Sequence, residues 1–172
     1  MRWDSVSGRR TNFLLNILRL GEAHFSRVPA RVRKMIKGSC LCGSIEFQIN
    51  GRVSQIGQCH CSMCRKSTGT AHATSLLASA KYFRWLSGED NVSTHTNSLG
   101  YDTAFCSQCG SPLPKDRGKV FVVPAGSLDT DPDVKPAFHS FVGSKAAWDE
   151  IRDDLPQHIC RPPDFDFRNG QG

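Results

Sequence analysis

Seven of the eight cysteines fall in three tight groups: Cys40-Leu-Cys42, Cys59-His-Cys61-Ser-Met-Cys64 and Cys106-Ser-Gln-Cys109, with Cys160 alone near the C-terminus. On an extended backbone the Cβ atoms of residues i and i+2 stand roughly 6–7 Å apart on one face, whereas a disulfide needs them about 3.8 Å apart. Cys40 and Cys42 are therefore poor partners for each other. Their sulfurs can still converge on one tetrahedral zinc ion, because Zn–S bonds near 2.3 Å ask only for sulfurs about 3.8 Å apart. Cys106 and Cys109, followed by Gly110, have the spacing of a zinc knuckle. Together Cys40, Cys42, Cys106 and Cys109 make a four-thiolate set with no coordination position left over, which is the character of a structural site. Gly43, directly after Cys42, lets the backbone turn around such an ion.

Cys59, Cys61 and Cys64 offer an odd number of thiolates, which internal disulfides cannot consume. Three protein ligands with a fourth position open mark a zinc that binds something else. Two zinc ions are thus expected. His60 and Cys160 are the alternatives for a fourth ligand. In an extended Cys59–Cys61 segment, however, His60 points to the opposite face, and Cys160 sits in a Pro-rich tail. Arg65 and Lys66 follow Cys64 directly. They are placed either to offset the excess negative charge of the thiolates and meet an anionic ligand, or simply as a solvated basic pair. Thiolates donate charge to the metal, so holding and presenting a thiolate fits this site better than splitting water. No Ser/His/Asp triad offers another nucleophile. His72 and His139 are candidate polar neighbours, or else ordinary partly buried histidines.

The elements that must position these groups read as β structure from Ile36 onward. Residues 43–50 alternate, with Ile45, Phe47 and Ile49 on one face, and Asn50-Gly51 predicts a hairpin turn into a return strand over 53–58. Short strands are expected at 71–77, 82–86 and 119–123, a loop at 128–136 and a short helix at 145–153. The chain has a net charge of +6, but residues 1–34 carry all of it: eight basic residues against two acidic ones, leaving 14 of each sign in the remainder. The neutral body argues against a nucleic-acid partner. No apolar run approaches the ~20 residues that cross a bilayer, so no membrane partner is expected. Residues 1–34 read as an organelle transit peptide, as a disordered or helical extension, or as the product of an upstream start before Met35. Clustered cysteines without an evident secretion signal favour metal binding in a reducing, cytoplasmic setting. The expected organisation is a basic extension at 1–34, one mainly-β zinc-binding domain at 35–157 and a tail at 158–172.

Three motifs, Gly38-Ser-Cys-Leu-Cys-Gly-Ser-Ile-Glu-Phe47, Cys59-His-Cys-Ser-Met-Cys-Arg-Lys66 and Phe105-Cys-Ser-Gln-Cys-Gly-Ser111, resemble those of the glutathione-dependent formaldehyde-activating enzyme family, which also includes centromere protein V. Phe83-Arg-Trp-Leu-Ser-Gly-Glu-Asp90, Ala125-Gly-Ser-Leu-Asp129, His139-Ser-Phe-Val-Gly-Ser-Lys-Ala-Ala-Trp148 and Leu155-Pro-Gln157 are similar as well. The resemblance implies a β-tent fold of small antiparallel sheets. It implies a structural zinc on Cys40, Cys42, Cys106 and Cys109, and a catalytic site at Cys59, Cys61 and Cys64. It also implies a carbon–sulfur lyase that joins a small thiol, glutathione, to an aldehyde as S-(hydroxymethyl)glutathione. The alternative reading of the residues is a zinc-stabilised binding module without catalysis, its three-cysteine site filled by a fourth protein ligand.

Overall fold

A computed structural model describes residues 34–162; the expected N-terminal extension, Lys34 apart, and the last ten residues of the tail lie outside them. The described residues are mainly β. Strands β1 (Ile36–Ser39), β2 (Glu46–Ile49) and β5 (Phe83–Ser87) form an antiparallel three-stranded sheet in the order β1-β2-β5. A six-stranded sheet contains β3 (Ile56–Cys59), β4 (Ala73–Ser79), β8 (Lys115–Asp116), β9 (Val120–Pro124), β10 (Pro136–Ser140) and β11 (Gln157–His158), in the order β11-β10-β3-β4-β9-β8. Within it β10 runs parallel to both β3 and β11, and the other pairings are antiparallel. A two-stranded antiparallel ribbon joins β6 (Val92–Thr96) to β7 (Asp102–Cys106).

The expected alternation places Ile45, Phe47 and Ile49 fully in the core. Phe47 stacks on Phe83, Phe83 stacks on Phe121 and stands edge-on to Trp85, so aromatic rings from β2, β5 and β9 tie the two larger sheets together. Ile56, Leu76, Ala78, Phe121 and Val123 belong to the same cluster. Because side chains alternate along a strand, the intervening residues Gly57, Cys59, Ser75, Val122 and Phe138 fall on the other face of the six-stranded sheet, where they line a cavity. One face of this sheet therefore makes the core and the other makes the site.

Two expectations fail. Asn50-Gly51 closes no hairpin, because both edges of β2 are already taken by β1 and β5. The chain instead crosses to the other sheet, with the Asn50 N–H donating to the Tyr82 carbonyl at 2.9 Å. Residues 145–153 form no helix, only a 3₁₀ turn at Val142–Ser144 followed by irregular backbone. Asp149 and Asp153 in that stretch reach buried histidines, and tertiary pairing outweighs the local propensity of Lys145-Ala-Ala-Trp. The one α-helix among the described residues, α1 (Ser62–Thr68), lies inside the second cysteine motif.

Phe47 touches both Phe83 and Trp85 and has no exposed surface. Phe47→Ala should lower the unfolding free energy by about 3–5 kcal/mol, read as a shift in the urea midpoint with metal content held constant. A loss of less than about 1 kcal/mol would mean that this aromatic cluster does not hold the sheets together.

Candidate metal centres and cavity

The sulfur atoms of Cys40, Cys42, Cys106 and Cys109 all lie within 4.8 Å of one another, and none is in a disulfide. Cys40 and Cys42 are 3.4 Å apart and Cys42 and Cys106 3.9 Å, close to the tetrahedral edge of about 3.8 Å that four Zn–S bonds define. Two backbone turns bring them together. The Gly43 N–H donates to the Cys40 carbonyl at 2.9 Å and the Gly110 N–H to the Cys106 carbonyl at 2.8 Å. Both glycines have φ of +75°, a conformation that strains any residue with a Cβ. Hydrogen bonding from Ser111, first by its hydroxyl and then by its backbone, brings the Cys109 thiol down to about 6. Burial pushes Cys40 up, but the Ser44 hydroxyl and the Ile45 N–H outweigh it and bring Cys40 down to about 7. Such thiols are ready ligands near neutral pH. Cys40 and Cys106 also pack with Ile45, Ala104 and Leu113 in a hydrophobic cluster, so this centre is part of a core.

Cys59, Cys61 and Cys64 form the second group, their sulfurs again within 4.8 Å of one another. Cys59 ends β3, Cys61 is the N-cap of α1 and Cys64 lies in the first helical turn. The Cys64 N–H donates to Cys61 Sγ at 3.4 Å, so one side chain both starts the helix and serves the cluster. The sulfurs compete for charge. Hydrogen bonds from Cys59 and Cys64 hold Cys61 far below the ordinary thiol range; Cys61 in turn pushes Cys59 up, and Cys59 and then Cys61 push Cys64 up. One negative charge is readily shared among them; a second and third call for a cation. The donor set therefore fits a metal ion, with three protein ligands where the first centre has four.

This group opens into a cavity of about 860 Å³, within the size range of small-molecule sites. Val122, Leu113 and Phe138 supply apolar walls. The Tyr101 hydroxyl donates to Cys64 Sγ at 3.6 Å and stands 2.9 Å from Ser67 Oγ; burial pushes its pKa up, so it remains a proton donor. Lys115 lines the cavity with its ammonium 5.0 Å from the centre of the Tyr101 ring, and Arg117 pairs with Asp102. Neither Tyr101 nor Lys115 carries a sequence signal: nothing in the Ser-Leu-Gly-Tyr or Leu-Pro-Lys-Asp strings marks a site, and only the pairing of β6 with β7 and β8 with β9 brings them here.

On the opposite side of the Cys-His-Cys segment His60 is fully buried, facing away from the sulfurs as the alternation requires. Its Nε2 lies 2.9 Å from His139 Nδ1, His139 Nε2 lies 3.0 Å from Asp153, and His60 Nδ1 lies 3.2 Å from Asp149, off the line of a good hydrogen bond. Burial, with His72 and His139 adding to it, lowers the His60 pKa. This chain anchors α1 and β3 to β10 and residues 149–153. The His72 ring lies 5.0 Å from that of His60, tilted by 54°, and its Nδ1 lies 3.1 Å from Thr74 Oγ1. Arg65 donates to the Ser144 carbonyl at 3.4 Å; neither it nor Lys66 lines the cavity. Cys160 is exposed and joins neither sulfur group, though Arg161 and Pro162 beside it line the cavity.

The two centres should fail differently. Cys106→Ser should remove one metal per chain and destabilise by several kcal/mol, the scale on which a structural metal supports a small fold. Cys64→Ser should also remove one metal but move the urea midpoint far less, because its centre faces a cavity. Metal analysis with urea unfolding checks both; equal destabilisation would contradict the division.

A family model described as glutathione-dependent formaldehyde-activating enzyme matches residues 35–144. A protein of Halomonas elongata, provisionally named a glutathione-dependent formaldehyde-activating enzyme, is 28% identical over 127 residues, covering 68% of this chain and 81% of that protein. A crystal structure of a Rhodobacter sphaeroides protein is similar over 59% of this chain and 99% of its own, at 23% identity and a TM-score of 0.46. The family match spans more than half of the sequence and contains all three cysteine motifs: the chain belongs to the glutathione-dependent formaldehyde-activating enzyme family.

Proposed function

We propose that the protein is a zinc-dependent carbon–sulfur lyase that joins glutathione to formaldehyde, reversibly, as S-(hydroxymethyl)glutathione. The observation that carries this reading is the asymmetry of the two sulfur groups. Cys40 and Cys106 are packed into a hydrophobic cluster and complete a four-sulfur set with Cys42 and Cys109, whereas the other three sulfurs open onto a cavity large enough for a tripeptide thiol. Cys40, Cys42, Cys106 and Cys109 hold a structural zinc in this account; Cys59, Cys61 and Cys64 hold the catalytic one. When bound, that zinc supplies a lowered thiol pKa.

The residues of the chain do the rest. Cys59, Cys61 and Cys64 fix where the substrate sulfur sits, and the Tyr101 hydroxyl holds Cys64 in place. Val122, Leu113 and Phe138 present an apolar wall to the bound partners. The thiol proton leaves to solvent, the sulfur lone pair forms a bond to the aldehyde carbon, and the carbonyl π pair moves to oxygen, which takes up a proton. Holding both partners in one cavity lowers the entropic part of the barrier. Arg65 and Lys66, in the last turn of α1, contribute positive potential and not a direct contact. The cysteines, all free, suit a reducing compartment such as the cytoplasm. The catalytic domain in this account is residues 35–157, with Arg161 and Pro162 of the tail also lining its cavity.

The test is adduct formation from glutathione and isotopically labelled formaldehyde, followed by NMR exchange on the zinc-loaded chain. Exchange should exceed the uncatalysed rate, and Cys64→Ala should lower it by more than the roughly 100-fold that loss of a group supporting a metal site costs. Wild-type protein no faster than buffer would contradict the proposal.

A further inference from the structure

The cavity contains a cation, Lys115, with no carboxylate in ion-pair contact among the described residues. Lys115, on the edge strand β8, is half-buried and gives one N–H to the Asp102 carbonyl at 3.1 Å. Among the described residues no carboxylate lies within ion-pair distance of its ammonium; the Asp102 carboxylate is taken by Arg117 instead. Beyond that, the ammonium has the π face of Tyr101, 5.0 Å away, and at longer range the charges of Asp102, Cys64 and Cys59, opposed by Arg117, which replace only part of what water would supply. Burial accordingly pushes the Lys115 pKa down. A lysine held in this way toward a cavity is short of one anion.

The same tyrosine measures the distance to the sulfurs. Its hydroxyl end touches Cys64 Sγ and its ring face carries the ammonium. The thiol-binding centre and the unpaired cation therefore lie about one aromatic side chain apart, within the reach of one or two extended residues at about 3.3–3.6 Å each. We propose that Lys115 binds a carboxylate of the thiol substrate, and that the site selects thiols carrying a carboxylate one or two peptide units from the sulfur over neutral thiols of equal size. This rests on the reading of Cys59, Cys61 and Cys64 as a thiol-binding centre and adds the group that chooses among thiols. Lys115 acts here in binding, by a charge-assisted hydrogen bond to a part of the substrate that does not react.

The test uses the full chain loaded with cobalt, whose absorption reports a thiol entering the three-cysteine centre. Glutathione and its diethyl ester are titrated into wild type, Lys115→Met and Lys115→Arg. Wild type should prefer glutathione over the ester by about ten-fold or more, the scale of one hydrogen bond to a charged group. Lys115→Met should bring glutathione to the affinity of the ester and leave the ester unchanged, and Lys115→Arg should keep most of the preference. Equal affinities on wild type would overturn the proposal without any variant. So would a Lys115→Met chain that keeps the preference or weakens both thiols alike. A cobalt spectrum indifferent to both thiols would instead bring down the thiol-binding reading, and the proposal with it.

Discussion

Crowded sulfur is the constraint on which the rest of the structure depends. Three thiols within 4.8 Å of one another share a single negative charge with ease, and the shifts of Cys59, Cys61 and Cys64 in opposite directions express that competition. The four sulfurs of Cys40, Cys42, Cys106 and Cys109 are gathered as closely, in part within a hydrophobic cluster where charge is costly. Neither arrangement suits disulfides, whose sulfurs lie about 2.05 Å apart. Both suit a cation that neutralises several thiolates at once. The turns at Gly43 and Gly110 and the cap of α1 follow from the need to hold sulfurs at that spacing.

The six-stranded sheet reconciles this demand with an ordinary hydrophobic core. Alternation sends Ile56, Leu76, Phe121 and Val123 to one face and Gly57, Cys59, Ser75 and Val122 to the other. A one-residue slip of β3 would bury Cys59 in the core and expose Ile56, so the register that gives stability also sets the site. His60 uses the same rule in the opposite sense. Flanked by two cysteines that face the cavity, it points into the protein, where His139, Asp149 and Asp153 fix the segment from behind.

What the sequence made legible was local. Cysteine spacing separates a set of four from a set of three, and Ile45, Phe47 and Ile49 reveal the buried face of β2, because both signals lie within a few residues. The failures share a cause. Asn50-Gly51 has the residues of a hairpin turn, yet strand order denies β2 a free edge for the return strand. Residues 145–153 have helical propensity, yet Asp149 and Asp153 serve histidines elsewhere in the chain. Tyr101 and Lys115 face the sulfurs only after distant strands have paired, so no string around them could announce it. Arg65 and Lys66 attracted notice because they are basic and adjacent to Cys64, and adjacency in sequence does not put a side chain in a cavity.

The central claim is that one centre is closed and the other open to a thiol. X-ray absorption at the zinc edge, on full-length protein of known metal content, tests it most directly. The account predicts two zinc ions per chain with a mean of about 3.5 sulfur ligands, from four at one centre and three at the other, rising to about 4 when glutathione is added. A single zinc per chain, or a sulfur number that does not move with glutathione, would contradict it.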